Sequence, residues 1–157
     1  MSTGDLLRDE VNSGSAKGKE LAEIMKSGKL VPLSEVLGLL KAAMAKNESA
    51  NGFLIDGYPR EVEQAIQFEK EVCPCTFLIY FDATDESMTK RLLNRGKTSG
   101  RADDNEDTIK QRLVTFHANR EPIMAHYGNK VVTINAERDP EVIFADVCTT
   151  IDLHCKK

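Results

Sequence analysis

The chain has 157 residues, a formal net charge of −4 and a pI ≈ 5.4. This length predicts one domain with a hydrophobic core of its own. The mild acidity argues against non-specific binding to nucleic acid, although phosphate ligands need only a local cluster of arginines. No apolar run approaches the ~20 residues of a membrane span, and residues 1–8 lack the pattern of a signal peptide, so we expect no membrane partner.

The first third of the chain reads as helical. We predict a short helix over residues 5–11, a second over residues 15–28 with Gly28 just beyond its C-terminus, and a third over residues 33–44. Phe53, Leu54 and Ile55 then form a wholly apolar run, which is typical of a buried strand of a parallel sheet. Asp56 ends this run, and the turn residues Gly57 and Pro59 follow it.

The remaining elements alternate between helix and strand. We predict helices over residues 61–72, 85–95 and 106–127, the last bent or split by Pro122, and a final helix that begins at Asp139 and Pro140. Strands are predicted over residues 76–81 and 130–134, and the polar residues 96–107 are predicted to be a mobile loop. This alternation predicts an α/β fold with a doubly wound parallel sheet and helices on both faces.

The cysteines indicate the redox environment. Cys73, Cys75, Cys148 and Cys155 are the four, and the Cys73-Pro-Cys75 pair lacks the two-residue spacing of zinc knuckles and redox sites. We therefore expect buried free thiols in a reducing compartment, and a cytoplasmic location.

A candidate ligand site follows the strand at residues 53–55. Asp56, the turn and Arg60 would lie at the carboxyl edge of the sheet, where open α/β sheets bind ligands. The alternative is an ordinary exit from a strand with a solvated arginine. Asp56 at this edge could orient a hydrated Mg²⁺ among phosphates, or it could simply bond nearby backbone amides in the turn.

Arginines occur at the boundaries of several predicted elements. They are Arg8, Arg60, Arg95, Arg101 and Arg112. Guanidinium groups match phosphate oxygens in pairs of hydrogen bonds and stay charged. If the segment between Arg95 and Arg112 closes, these charges could converge as phosphoryl transfer requires. The alternative is that each pairs with a surface acid such as Asp103, Asp104 or Glu106.

Four motifs in register resemble the adenylate kinase family, in its short-lid cytosolic isoenzyme type. They are Ser-Thr-Gly-Asp-Leu-Leu-Arg at residues 2–8, Lys-Leu-Val-Pro at 29–32, Gly-Phe-Leu-Ile-Asp-Gly-Tyr-Pro-Arg at 52–60, and Arg-Gly-Lys-Thr-Ser-Gly-Arg at 95–101. The likeness extends over essentially the whole chain. It implies one nucleoside monophosphate kinase domain over residues 1–157, with a monophosphate-binding segment at 2–31 and a short lid at 94–104.

The resemblance also implies an activity and roles for single residues. Adenylate kinases interconvert ATP plus AMP with two ADP, using Mg²⁺ with ATP, and are usually monomers. The implied AMP site comprises Thr3, Arg8, Lys29, Leu30, Val31, Gly57, Tyr58, Pro59, Arg60 and Gln64. Arg95, Arg101 and Arg112 would surround the transferring phosphoryl group, with Arg95 on the ATP side.

One part of the family pattern is not in the sequence. The family begins with a strand, a glycine-rich phosphate loop and a helix, and the nearest fragment here, Gly18-Lys19, follows no strand. The implied fold is a three-layer nucleoside monophosphate kinase sheet without its central first strand. We expect Met1 to be an internal methionine of a longer protein, and the printed sequence alone to be marginally stable and slow in phosphoryl transfer.

Two alternatives to a working adenylate kinase follow. One is a truncated or catalytically impaired isoform that binds AMP through Thr3, Arg8, Arg60 and Gln64 without turnover. The other is a UMP/CMP kinase, which Thr3 and Gln64 disfavour because pyrimidine-nucleotide relatives usually have Ala at the position of Thr3.

Overall fold

The computed structural model describes residues 1–155, which form seven α-helices, one 3₁₀ turn and two β-strands. In chain order these elements are α1 (Thr3–Asn12), α2 (Ala16–Lys26), α3 (Leu33–Ala45), α4 (Val62–Glu71), β1 (Leu78–Asp82), α5 (Asp85–Ser99), α6 (Glu106–Tyr127), the 3₁₀ turn Gly128–Lys130, β2 (Val131–Asn135) and α7 (Pro140–His154).

Side-chain caps explain where four of these helices begin. Ser15, Thr84, Asn105 and Asp139 precede α2, α5, α6 and α7, and each accepts a hydrogen bond from a backbone N–H of the first turn. These bonds satisfy donors that have no partner inside the helix. The start of α6 therefore lies at residue 106, as the sequence predicts.

The sheet is small and parallel. β1 pairs with β2 in the register Leu78↔Val131 through Asp82↔Asn135, and the crossover between them contains α5 and α6. The carboxyl ends of both strands therefore lie at the same edge of the sheet, where α5 and α7 begin. This arrangement confirms the predicted α/β class with a parallel sheet that has few strands.

The segment Phe53–Ile55 does not form the predicted buried strand. Its extended backbone meets residues 1–3, where Asp56 N–H donates to Met1 O at 2.8 Å and Thr3 N–H donates to Asp56 O at 3.0 Å. A ladder cannot grow from this bridge because α1 begins at Thr3 and carries the partner chain away. Phe53 and Leu54 are 38% and 61% exposed, so the expectation of burial was wrong for them.

The main hydrophobic core lies among the first four helices. It is built from Leu7, Leu21, Val31, Val36, Leu37, Leu40 and Phe68, with Ile55 and Tyr58 packed against it. Leu40 is completely buried, whereas α5 has no buried residue. The apolar faces of α1, α2 and α3 thus pack against each other. Because Ile55 and Tyr58 also pack on this core, the segment around residue 56 is held next to the start of α1.

Three further expectations need correction. The predicted loop 96–107 is helical through Ser99, where Gly100, with a φ of +63°, ends α5. Pro122 does not split α6, which continues to Tyr127. The cysteines are free thiols among the described residues, but Cys73, Cys148 and Cys155 are exposed rather than buried.

Within residues 1–155, every helix is too short or too polar to cross a membrane.

Candidate functional site

The turn after residue 56 is held against the start of α1 by a buried threonine. Thr3 is 2% exposed, and its hydroxyl lies 3.0 Å from Gly57 O and 3.2 Å from Asp56 O, both of which can accept its proton. Gly57 has a φ of +73°, and a Cβ there would lie 3.1 Å from Thr3 Oγ1. A side chain at this position would be both strained and crowded, so the turn depends on glycine.

Arg60 and Gln64 are tied to this turn. Arg60 Nε donates to Gly57 O at 3.0 Å, and Arg60 N–H donates to Gln64 Oε1 at 2.8 Å. The Gln64 side chain is buried, with its Nε2 3.4 Å from Glu61 Oε1. Tyr58 Oη donates to Gln64 O at 2.6 Å, and burial raises the pKa of the Tyr58 phenol to about 12. These bonds fix the direction in which Arg60 leaves the turn.

A second set of arginines is organised by two acids in the loop between α5 and α6. Arg95 places both arms of its guanidinium on Asp104, at 2.7 Å each, and Arg112 Nη1 donates to Asp103 at 3.0 Å and lies 3.4 Å from Asp104. The Asp104 side chain is fully covered. The Arg95 hydrogen bond lowers the pKa of the Asp104 carboxyl and raises that of the Arg95 guanidinium. Asp104 is therefore an anion that aligns two cations.

A glycine allows this loop to lie directly on α5. A Cβ at Gly96 would approach Asp104 O to 2.5 Å, which is closer than any real contact. The absence of a side chain at residue 96 thus lets the backbone of Asp104 lie against α5, and the Asp104 carboxylate bonds Arg95 from there.

Asp5 joins the two sets of arginines. Its Oδ1 accepts a hydrogen bond from Nη2 of Arg8 and lies 3.6 Å from Nη2 of Arg101. Arg8 belongs to α1 and Arg101 to the loop after α5, so one carboxylate oxygen bridges distant parts of the chain. The hydrogen bond from Arg8 is the main reason why the pKa of Asp5 is lowered.

Arg60 lies within the electrostatic reach of the same cluster. The residue remains exposed at the surface, yet crowding of its guanidinium by protein atoms lowers its pKa, as do the charges of Arg112 and Arg8. Asp103 and Asp56 oppose this effect. The five arginines predicted from the sequence are thus brought together with Asp5, Asp56, Asp103 and Asp104 between them.

Other predicted site residues have plainer positions. Val31 is part of the core, Leu30 and Pro59 are half-buried, and Lys29 is exposed. The described hydrogen bonds and ion pairs do not link Lys29, Leu30 or Val31 to the arginines. Their segment is anchored instead by Thr108, whose hydroxyl donates to Lys26 O at 2.9 Å.

The carboxylates fit a metal that arrives on a ligand better than a resident ion. Asp56 is exposed, and residues 1–155 contain no group of three or more His, Cys, Asp or Glu side chains placed to hold a metal. Mg²⁺ usually takes one or two carboxylates together with substrate phosphates and water. Asp56, with guanidinium groups nearby to bind the phosphates, could hold Mg²⁺ in this way.

An open depression of about 840 Å³ runs along α5 and reaches the loop. Its lining includes Glu86, Lys90, Leu93 and Lys97, and it ends at Asp104. It is lined by Asn94 and Gly96, the neighbours of Arg95 in the sequence, but Arg95 itself does not line it.

Sequence reasoning found the arginines but not the acid that joins them. The i, i+3 spacing of Asp5 and Arg8 is the available signal in the sequence for an ion pair. Asp103 and Asp104 were named as alternative partners and do pair with arginines. Glu106 does not, because it pairs with Lys110 at 2.9 Å.

The chain is similar in sequence to known proteins of one family. The family model described as adenylate kinase matches residues 1–132. Adenylate kinase isoenzyme 1 of Bos taurus is 55% identical over 155 residues, which cover 97% of this chain and 80% of the bovine protein. The Homo sapiens isoenzyme 1 is 54% identical over the same coverage, and adenylate kinase 1 of Schistosoma mansoni is 56% identical over 150 residues, with 94% and 76% covered.

Proposed function

This chain belongs to the adenylate kinase family and is a nucleoside monophosphate kinase of adenine nucleotides; we propose that its reaction, ATP + AMP to two ADP and back, takes place at the arginine cluster beside Asp56. The observation that carries this proposal is the convergence of Arg8, Arg60, Arg95, Arg101 and Arg112 around Asp5, Asp103 and Asp104. Phosphoryl transfer relies on positioning and charge neutralisation, and guanidinium groups held by carboxylates can exchange those partners for phosphate oxygens.

The AMP phosphate would be held by Arg8 and Arg60. Arg60 is aimed by Gly57 O and Gln64, and Arg8 lies on the first turns of the helix that Thr3 fixes to the same turn. The rest of AMP would contact three groups of residues. Gln64 would bind the base, and Tyr58 and Pro59 would contact AMP from the turn. Lys29, Leu30 and Val31 would lie on the rim of the monophosphate-binding segment 2–31. Rigid donors of this kind lower the cost of ordering a ligand.

Phosphoryl transfer would take place between Arg95, Arg101 and Arg112, with residues 94–104 as the lid and Arg95 on the ATP side. Asp104 holds two of these guanidinium groups in place before the reaction, so little reorganisation is needed as charge shifts between the attacking and leaving oxygens. Mg²⁺ bound to the nucleotide would neutralise charge on the phosphates, and Asp56 is the residue that would hold its water shell.

The remaining features of the proposal are the oligomeric state and the location. We propose a monomer, as implied by the family resemblance, and a cytoplasmic location. Free and largely exposed thiols at Cys73, Cys148 and Cys155 support a reducing environment, since such thiols oxidise readily elsewhere.

A coupled assay and calorimetry test the proposal together. We expect AMP to bind the chain more tightly than UMP or CMP, and ADP to form slowly from ATP plus AMP. We expect Arg60→Ala to weaken AMP binding by about 10-fold or more, since a charge-assisted hydrogen bond contributes ~1.5–3 kcal/mol. Arg138→Ala is the matched control, because Arg138 pairs with Asp146 on α7.

Each contrary result has a distinct meaning. AMP binding without ADP formation would support the impaired, AMP-binding alternative. Tighter binding of UMP or CMP would support the pyrimidine alternative. If AMP does not bind, or if Arg138→Ala weakens its binding as much as Arg60→Ala, the arginine cluster is not the nucleotide site.

A further inference from the structure

Asp5 occupies an unusual position between two arginines of different elements. Its Oδ1 is shared by Nη2 of Arg8 and Nη2 of Arg101, although the side chain is 61% exposed. The two arginine side chains are more enclosed, at 26% and 27% exposed. A carboxylate oxygen between two guanidinium forks has the same hydrogen-bonding chemistry as a phosphate oxygen.

The position of Asp5 on α1 makes this pairing stable in the folded chain. Asp5 and Arg8 are three residues apart, so they share a face of α1, and Asp5 also lies in the first turn, where a negative charge is favourable. Arg101 reaches the same oxygen from the loop between α5 and α6. The only tie of the loop to α1 among the described ion pairs therefore passes through this carboxylate.

We propose that Asp5 is a positioning and specificity-determining residue that imitates the monophosphate of the substrate. It keeps Arg8 and Arg101 together and turned toward one point. It competes with the AMP phosphate for Arg8 and with the transferring phosphoryl group for Arg101. This inference rests on the proposed function, because that function gives Arg8 to the AMP phosphate and Arg101 to the transferring group.

The competition has a direction that can be measured. A phosphate must displace the Asp5 carboxylate, so part of its attraction to the arginines is spent on breaking an existing ion pair. A neutral nucleoside makes no such exchange. Asp5 therefore lowers the affinity of the chain for AMP but not its affinity for adenosine. Removal of the Asp5 charge should increase the preference for AMP over adenosine.

The test is calorimetric titration of the whole chain with AMP and with adenosine. Asp5→Asn keeps the shape of the side chain and removes its charge, and Asp5→Ser repeats the test without an amide donor. We expect both variants to bind AMP about two- to fivefold more tightly, the range given by exposed ion pairs, with the affinity for adenosine unchanged. The gain should shrink as salt rises, because the Coulomb attraction between the phosphate and the freed guanidinium groups is screened.

The matched control is Asp9→Asn. Asp9 is an exposed acid one turn further along α1, and it takes part in none of the ion pairs formed by residues 1–155. It removes the same net charge, and we expect no change for either ligand. An equal gain in Asp9→Asn would assign the effect to net charge alone and overturn the inference.

Two further outcomes also overturn it, and they are distinguishable from failure of the proposed function. If the wild-type chain binds AMP but the Asp5 variants bind it equally or more weakly, Asp5 does not compete with phosphate. If the variants gain affinity for adenosine as well, Asp5 acts on the base or on stability. If the wild-type chain itself binds no AMP, the proposed function fails, and the inference fails with it.

Discussion

The two halves of the molecule differ in how completely they are buried. Residues 1–72 pack α1 to α4 around a continuous core, in which Leu40 has no exposed surface. In the sheet half, residues 76–155, buried apolar side chains are few, and Phe81, Phe144 and Leu153 are 49%, 63% and 65% exposed. Burial of apolar area is the main favourable term in folding, so the first half contributes more of the stability per residue.

The candidate site lies where these halves meet. Arg8 and Arg60 come from the well-packed half, while Arg95, Arg101 and Arg112 come from the less buried one. The ion pair of Asp5 with Arg101 connects the two sets. Residues 1–72 therefore hold Arg8 and Arg60 on a well-packed support. Arg95, Arg101 and Arg112 lie in a less packed region, whose local structure can change more easily.

Truncation of the core should have the largest effect. Leu40→Ala removes a fully buried side chain, and we expect a loss of about 2–5 kcal/mol in the free energy of unfolding. Leu153→Ala removes the same group from the exposed face of α7 and should change it by less than ~0.5 kcal/mol. Urea melts followed by circular dichroism measure both. Equal losses would show that the two halves are buried alike in solution.

Removal of a cation from the less buried half should mainly affect catalysis. We expect Arg112→Ala to lower kcat by about 10²–10³-fold with a smaller change in the urea midpoint, because a preorganised donor to the developing charge is lost. Arg112→Lys should recover only part of the rate, since lysine lacks the planar fork. Arg120→Ala, on the same helix but paired with Glu121, serves as the control and should keep the rate.

The turn that precedes Arg60 in the well-packed half should be sensitive to a single methyl group. Gly57→Ala places a side chain at a φ of +73° and against Thr3, and we expect a loss of about 1–2 kcal/mol in stability together with weaker AMP binding. Gly52→Ala is the matched control, because a Cβ at residue 52 would meet no atom within 4 Å. Similar losses in both variants would contradict a special conformation at Gly57.

The smallest expected effect is a dependence of stability on pH. Folding lowers the pKa of Asp104 below its ordinary value of 3.8. The ionised carboxylate therefore contributes fully to the free energy of unfolding above pH 3.8, and this contribution is lost as the pH falls toward the lowered pKa. Asp104→Asn should therefore cost about 1 kcal/mol at pH 7 and progressively less below pH ~4. Urea midpoints across this range test the sign, and a difference that grows on acidification would refute it.

Local signals in the sequence were sufficient to predict most helices but not to predict which segments pair as β-strands. Asn105 as a cap and the apolar period after it place α6, and Gly28, with a φ of +71°, ends the second helix region as expected. The segment at Phe53 has strand composition, yet strand formation requires a neighbour, and the neighbour turns into α1 at Thr3. Such non-local requirements are not encoded in the composition of the segment itself.

The candidate site shows the same division. The sequence singles out the five arginines, although the structure places Arg8 inside α1 and Arg112 inside α6 rather than at element boundaries. Their placement in one cluster is implied by the family resemblance. The acids between them could not be ranked from the sequence, because the contact of Asp5 with Arg101 depends on how α1 and the loop after α5 approach each other. The family assignment is confirmed by the comparisons, whereas the roles of single residues stay predictions.

A substitution at Gly96 could change the position of the loop between α5 and α6 without removing any charged side chain. The lack of a side chain at Gly96 lets the Asp104 backbone sit directly on α5. A methyl group there would act as a wedge, lifting the acidic residues away from Arg95 while leaving every guanidinium group in the chain. Loop position and charge content are thus separable properties of this protein, each under the control of different residues.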